Sequence, residues 1–355
     1  MDPDLRPGRG AGSRDSGRYE RFSRVDEGDG WDIPEEASVL RTLVTEERPR
    51  SAITYQSSPD LPFDRSINPY RGCEHGCIYC FARPSHAWLG LSPGLDFETR
   101  LVARPTLPEV LAEELRKPRY KVAPLAIGTN TDPYQPVEKQ RGIMRACLEV
   151  LRDFRHPVAI VTKGTLIERD ADLLAEMAAQ GLARVGISVT TLDPAISRRM
   201  EPRAPSPARR LATIRRLSEA GVPVRIMASP MVPALTDPEL EKILEAGAEA
   251  GAEAASWIML RLPLEVAELW QEGLAVNPRL SLSYSGIGVG RTIEGLIAAN
   301  IIRMMTRERR LDVAEVRVLQ AQLRAVDATL ALAARTREAW IEAVAAWETV
   351  AYLNR

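Results

Sequence analysis

The chain has 355 residues, 45% of them hydrophobic, and a formal net charge of −1. That is apolar mass enough for a sizeable core and too little charge to attract a polyanion by bulk field; no apolar run approaches the roughly twenty residues of a membrane helix. The N-terminus is polar and lacks an apolar signal segment, so a cytoplasmic location is expected.

Residues 1–48, which begin MDPDLRPGRGAGSRDSGRYERF, are rich in Arg, Asp, Gly and Ser and poor in aliphatics. Such a composition cannot offset its own ordering entropy, and a disordered tail is expected. Acidic residues interleaved throughout argue against a nucleic-acid-binding arm.

The next stretch, INPYRGCEHGCIYCFARPSHAW at 67–88, places Cys73, Cys77 and Cys80 within eight residues, and the only other cysteine is Cys147. Three clustered thiols in a chain this long are no disulfide framework; they point to a metal or to catalysis. A structural zinc site takes four ligands, usually as two spaced pairs, and the spacing here is C-x3-C-x2-C. His75 or His86 could complete a Cys3His site, which keeps a non-catalytic zinc or iron–sulfur module as the alternative. A bacterial ferredoxin run needs a fourth cysteine shortly afterwards, and none follows. Three thiolates can instead hold a 4Fe–4S cubane by three of its irons and leave the fourth open to a ligand, a catalytic layout.

Beyond the cysteines a rhythm sets in. Short apolar runs recur as PLAIGTN (124–130), PVAIVTKG (157–164), ARVGISVTT (183–191), VPVRIMASP (222–230) and AASWIMLRLP (254–263). Each has the length and β-branched content of a buried strand. Between them QPVEKQRGIMRACLEVLRDF, RDADLLAEMAAQG and DPELEKILEAGAEAG read as helices, two of them opening on carboxylates and closing at glycine. With SINPY (66–70) as a first strand, six βα units of roughly thirty residues emerge. That pattern means a parallel α/β sheet, either a partial (β/α)6 barrel or an open doubly wound sheet. Both put ligands at the carboxyl ends of the strands. The cysteine loop, Asn130 to Asp132, Thr162 and Lys163, Ser188 to Thr191, Ser229 and Arg261 all fall at such ends.

Three other features stand out. Cys147 lies on the apolar face of a helix beside Ile143, Met144 and Leu151, as a buried free cysteine does. Residues 197–216 carry seven arginines against one glutamate; they are either a phosphate-binding patch or, without interleaved aromatics, a solvated helix face. LSLSYSGIGVGRTIEGLIAAN (280–300) reads strand, Gly-rich turn, helix, and its spacing misses the dinucleotide fingerprint. Residues 49–270 are therefore expected to form the α/β domain and 271–355 a mostly helical extension.

CEHGCIYC, with Tyr79 just before the last cysteine, resembles the motif of the radical S-adenosylmethionine enzymes. GTNTDPYQPVEKQ, VTKGTLIERD and SVTTLDPAISRRMEPRAPSPARR are similar to the subgroup related to spore photoproduct lyase, and the resemblance spans about residues 50 to 265. It implies a partial (β/α)6 barrel in which Cys73, Cys77 and Cys80 ligate a 4Fe–4S cluster, with S-adenosylmethionine chelated at the open iron. It further implies that Asn130, Thr131 and Asp132 stand where the family holds the methionyl amine, on a segment that departs from the family's Gly-Gly-Glu-like sequence. By the same resemblance Ser188 stands at the ribose, Tyr79 at the adenine, and Lys163 or Arg203 at the carboxylate. An electron donor such as flavodoxin or ferredoxin is implied as partner. The substrate, whether nucleic acid, protein or small molecule, is left open.

Overall fold

The computed structural model describes residues 9–11, 19, 41–58, 61, 63–233, 235–263 and 265–275; Pro233 and Leu235 apart, these belong to one compact unit. The strand–turn–helix expected over 280–300, the helical extension after it and most of the 1–48 tail fall outside the described residues.

Short strands β1 (Leu43–Glu46), β2 (Thr54–Tyr55), β3 (Arg65–Ile67) and β4 (Tyr70–Arg71) lead into the cysteine loop, and α1 (Leu95–Thr99) and β5 (Arg100–Ala103) lead out of it. After α2 (Leu107–Leu115) come β6 (Leu125–Ile127), α3 (Glu138–Arg141) and α4 (Ile143–Asp153), then β7 (Val158–Thr162) and α5 (Ala171–Ala178). β8 (Ala183–Ser188), α6 (Pro194–Met200) and α7 (Pro207–Glu219) follow. The series continues with β9 (Val224–Met231), α8 (Leu240–Glu249), β10 (Ala254–Met259) and α9 (Val266–Ala275). Every strand from β6 to β10 lies on an apolar run that the sequence marks out.

The main sheet has the order β10-β9-β8-β7-β6-β3-β2, parallel throughout except for β2 against β3. From β3 to β10 the strands stand in chain order with no reversal. A doubly wound sheet would reverse at a switch point, so this succession is that of a partial (β/α)6 barrel. The burial pattern agrees. Val158, Ile160, Val185, Ile187, Val224 and Ile226 all face one side, buried in the main core with Leu148, Leu174, Ile214 and Leu217 from the helices. Each such side chain contributes roughly 1.5–3 kcal/mol through burial. The opposite face carries the small residues Ala126, Ala159, Gly186 and Ser188 among the larger Val161 and Met227.

Local chemistry sets the element ends. The Asp193 carboxylate accepts from the Ala195 and Ile196 N–H groups at 2.6 and 3.2 Å and starts α6 behind Pro194; Ser206 caps α7 behind Pro207 in the same way. The helix expected over 135–154 is instead two, because Gly142 takes φ 65° between α3 and α4, a left-handed turn that glycine makes without strain. A three-stranded sheet, β1-β5-β4, stands apart from the main one and was not apparent in the sequence. It enlists Leu43–Glu46 from the expected tail, paired in parallel with Arg100–Ala103. No helix among the described residues is long and apolar enough to cross a membrane.

Candidate metal and cofactor site

The cysteine loop begins where β4 ends. Gly76, at its apex, has φ 68°, and a Cβ there would lie 2.8 Å from the Glu98 carboxylate, so only glycine turns the chain between Cys73 and Cys77. Much of the loop's anchoring runs through its backbone. Cys73 N–H donates to the Phe97 carbonyl at 2.9 Å, Ile78 N–H to Met200 at 3.1 Å, and Arg203 N–H to the His75 carbonyl at 3.2 Å. Gln135, fully buried, accepts from Glu74 N–H at 2.9 Å and donates to the Gly72 carbonyl at 3.1 Å; the Thr131 hydroxyl reaches the same carbonyl at 2.6 Å. On the outer side Arg83, itself inaccessible, donates to the Cys77 carbonyl at 2.9 Å and pairs with buried Glu98 at 2.5 Å.

Cys73 and Cys77 are buried and Cys80 is half-buried. Cys80 packs against two apolar groups at once, Cys73 with Ala82 and Phe97, and Cys77 with Ile78, Tyr79 and Trp270. Burial pushes all three thiols up; the negative field of Asp132 adds to it at Cys73 and that of Glu201 at Cys77. Backbone N–H groups of His75 toward Cys73, and of Ala82 and Arg83 toward Cys80, work the other way. Thiolates held in so dry a place require a cationic partner. Of the two nearby histidines, His75 Nδ1 lies 3.3 Å from Asp132, and His86 pairs its Nε2 with the Arg100 carbonyl at 2.9 Å while its buried Nδ1 has no partner among the described residues. Among the described residues no three His, Cys, Asp or Glu side chains converge on one metal ion. The donor set, all sulfur, buried and three in number, fits a metal cluster that takes three thiolates.

Around the thiols the other expected residues fall into place unevenly. Asp132 accepts from Thr162 hydroxyl at 2.5 Å, Lys163 N–H at 2.7 Å and Tyr134 N–H at 2.9 Å, besides facing His75. Burial alone would raise its carboxyl; His75 and these donors outweigh burial and hold it at about 2. All its lone pairs are engaged within the protein. Asn130 presents its side chain without a partner among the described residues, its backbone N–H going to Asn68 at 3.2 Å. Arg203 lies 3.4 Å from Glu74 at the rim of the loop. Lys163 Nζ stands 3.6 Å from Glu201 and 5.7 Å from the centre of the Tyr79 ring.

Glu201 is the residue that sequence reasoning missed. Wholly buried, it accepts from the hydroxyls of Tyr79 and Thr190 and from Arg210, and it faces Lys163. Burial opposes its charge, but Arg210 and Lys163 prevail and hold its carboxyl at about 2. Burial, with Glu201 next to it, pushes the Tyr79 phenol up. Its signal in the sequence was a lone carboxylate amid seven arginines, which reads as charge balance unless one asks which arginine would be buried with it. Beside this network the hydroxyls of Ser188, on β8, and Ser229, on β9, have no partner among the described residues, and the Ser229 Oγ is inaccessible. Register places Ser188 beside Met227, on the face of the sheet that carries Ala159 and Gly186, and an orphaned buried hydroxyl such as that of Ser229 marks room for a polar ligand.

The model of the Radical SAM superfamily matches residues 67–247, just over half of the chain, and takes in all three cysteines. The chain belongs to the radical SAM superfamily. An uncharacterised protein of Mycobacterium tuberculosis is 41% identical to it over 204 residues, covering 57% of this chain and 60% of that protein. An uncharacterised protein of Methanocaldococcus jannaschii is 28% identical over 173 residues, 49% of this chain and 62% of that one. The chain thus spans about 60% of the length of the mycobacterial relatives it matches. Among solved structures, a spore photoproduct lyase mutant with bound AdoMet and dinucleoside spore photoproduct superposes with TM-score 0.51 at 15% identity, over 67% of this chain and 68% of that one. At that identity the likeness is one of fold, and it agrees with the succession of parallel strands.

Proposed function

We propose that this radical SAM protein is an enzyme in which Cys73, Cys77 and Cys80 hold a 4Fe–4S cluster and bind S-adenosylmethionine at its open iron. The carrying observation is the buried three-thiol loop at the carboxyl ends of parallel strands. Such a cluster, given one electron, supplies reductive cleavage of the sulfonium and a 5′-deoxyadenosyl radical that abstracts hydrogen; the chain supplies position and field. Ser188 and Ser229 would meet the ribose hydroxyls, and the Tyr79 ring the adenine. Lys163, already turned toward Glu201, would pair the methionyl carboxylate, with Arg203 the more distant alternative. Asn130 is the freest of the 130–132 group to meet the amine, while Thr131 and Asp132 brace the loop. A small redox protein such as a flavodoxin or ferredoxin would provide the electron.

The dinucleoside bound by the similar lyase makes nucleic acid one substrate candidate. Against it, four of the seven arginines of 197–216 are spent on carboxylates: Arg203 on Glu74, Arg209 and Arg216 on Glu168, and Arg210 on Glu201. A protein or small-molecule substrate is the better-supported reading. The deciding experiment is anaerobic reconstitution, followed by incubation with S-adenosylmethionine and dithionite. Formation of 5′-deoxyadenosine, slow and dependent on reductant even without substrate, is the expected result. Stoichiometric zinc without iron, or a full cluster that never cleaves S-adenosylmethionine, would sink the proposal.

A further inference from the structure

Three residues from the expected tail lie against the outer side of the cysteine loop, outside the stretch that the family shares. Gly10 N–H and Ala11 N–H each donate to one oxygen of the Glu98 carboxylate, both at 2.9 Å. Arg9 donates to the Glu98 carbonyl at 2.8 Å and to Thr42 at 3.2 Å, and Thr42 in turn reaches Glu74 at 2.7 Å. The fit leaves no slack. A Cβ on Gly10 would come 1.8 Å from the Gly76 carbonyl oxygen, at the apex of the loop, and 3.1 Å from Ile78. Ala11 is buried with Leu95 and Leu269.

Glu98 is the hub. It takes the two N–H groups of residues 10 and 11 on one side and the Arg83 guanidinium on the other, and Arg83 holds the carbonyl of Cys77. Without residues 9–11, a buried carboxylate would lose two of its three donors, and the Gly76 turn would face water. Bonds to an ionised, buried acceptor are the costly ones to break.

We propose that Arg9–Gly10–Ala11 is a strap that closes the outer wall of the cysteine loop, acting through Glu98 and Arg83 to position Cys77. The strap rests on the loop geometry, and its role in cluster retention rests on the function proposed above. Its test uses the full chain, with Gly10→Val, which cannot seat on Gly76, and Arg9→Ala, which removes the anchor without adding bulk.

In the iron-free protein, alkylation of each cysteine by iodoacetamide is followed by mass spectrometry. Cys147, in the core, reports global opening. Cys77 and Cys73 should react about ten-fold faster in Gly10→Val, and less so in Arg9→Ala, with Cys147 unchanged. After reconstitution, loss of iron to a chelator should accelerate in the same order. Unchanged loop thiols would overturn the strap, as would all four cysteines quickening together, because the segment would then brace the fold at large. If the unaltered chain takes up no iron, the proposed function fails, while the alkylation rates still decide for or against the strap.

Discussion

The cysteine loop and the arginine segment at 197–216 both look, as strings of letters, like concentrations of chemistry. They are tied down in opposite ways. In the loop, the surrounding residues bond to the backbone: Gln135 and Thr131 to the Gly72 carbonyl, Arg83 to that of Cys77, Phe97 and Met200 to the N–H groups. The thiols are left facing an apolar wall and a few N–H dipoles. In the arginine segment it is the side chains that are consumed, on Glu74, Glu168 and Glu201. A reactive group stays available when its scaffold is fastened through the main chain. A dense charge run is quieted as its members are taken up by carboxylates, here four of the seven arginines.

The largest effect expected from breaking this comparison is on iron. Alanine at any one of Cys73, Cys77 or Cys80 should take reconstituted protein from about four irons per chain to background. Cys147→Ala should keep them all. Iron retained by a single-site variant of the loop would mean that the thiols do not act as a set.

Within the arginine segment the expected contrast is one of stability. Arg210→Ala strands a wholly buried Glu201 and should cost about 3–5 kcal/mol in urea unfolding. Arg215→Ala, for which no partner is found among the described residues, should stay within about 0.5 kcal/mol. Equal losses would show the network around Glu201 to be unimportant for stability.

Acid should sharpen the same point. The carboxyls of Glu201 and Asp132 are both held at about 2, below their ordinary values. A depressed carboxyl stabilises the fold above its unfolded value and gives that stability up as pH falls through its folded value. The iron-free protein should therefore weaken between about pH 5 and pH 2, by about 2–3 kcal/mol for each group. Thermal melts across that range should be flatter for Asp132→Asn or Glu201→Gln, whatever those variants lose at neutral pH. An unaltered slope would remove the basis for treating these two as charged.

The smallest effect concerns nucleic acid. Arg209 and Arg216 share Glu168, an exchange of the kind usually worth under about 1 kcal/mol. Replacing both by alanine should shift the log–log salt slope for a short single strand by less than one contact's worth, about one unit. A shift of two units would restore the patch as a phosphate site.

How much of this was written in the sequence differs from place to place. The five strands from β6 to β10 were legible because each lies on an apolar run; β6 to β9 are buried on their helix side, whereas β10 is exposed or half-exposed along its length. Their sequential order did not follow from the alternation of elements, which a parallel barrel and a doubly wound sheet share; the family resemblance supplied it. β4 and β5 were hidden by their brevity, two and four residues with no period to read. The break at Gly142 was hidden because the four polar residues of α3, EKQR, carry no apolar period to set against that of α4. The three cysteines were plain from spacing alone. The residues that hold them were not: Gln135, Arg83, Glu98 and Glu201 are polar, scattered from 83 to 201, and meaningful only once burial is known.

The loop's fastenings also set an order of events on the way to the finished molecule. Tyr79 finds Glu201 across 122 positions, and Glu74 finds Gln135 across 61. A ribosome adding residues from the N-terminus releases the three thiols long before the groups that enclose them. Until α6 and the start of α7 have emerged and docked, the inner wall of the loop cannot exist, and closing a chain segment of that length carries its own entropic delay. The thiols therefore pass through an open interval during synthesis, a window for metal delivery and equally for oxidation, which ends when Glu201 reaches Tyr79.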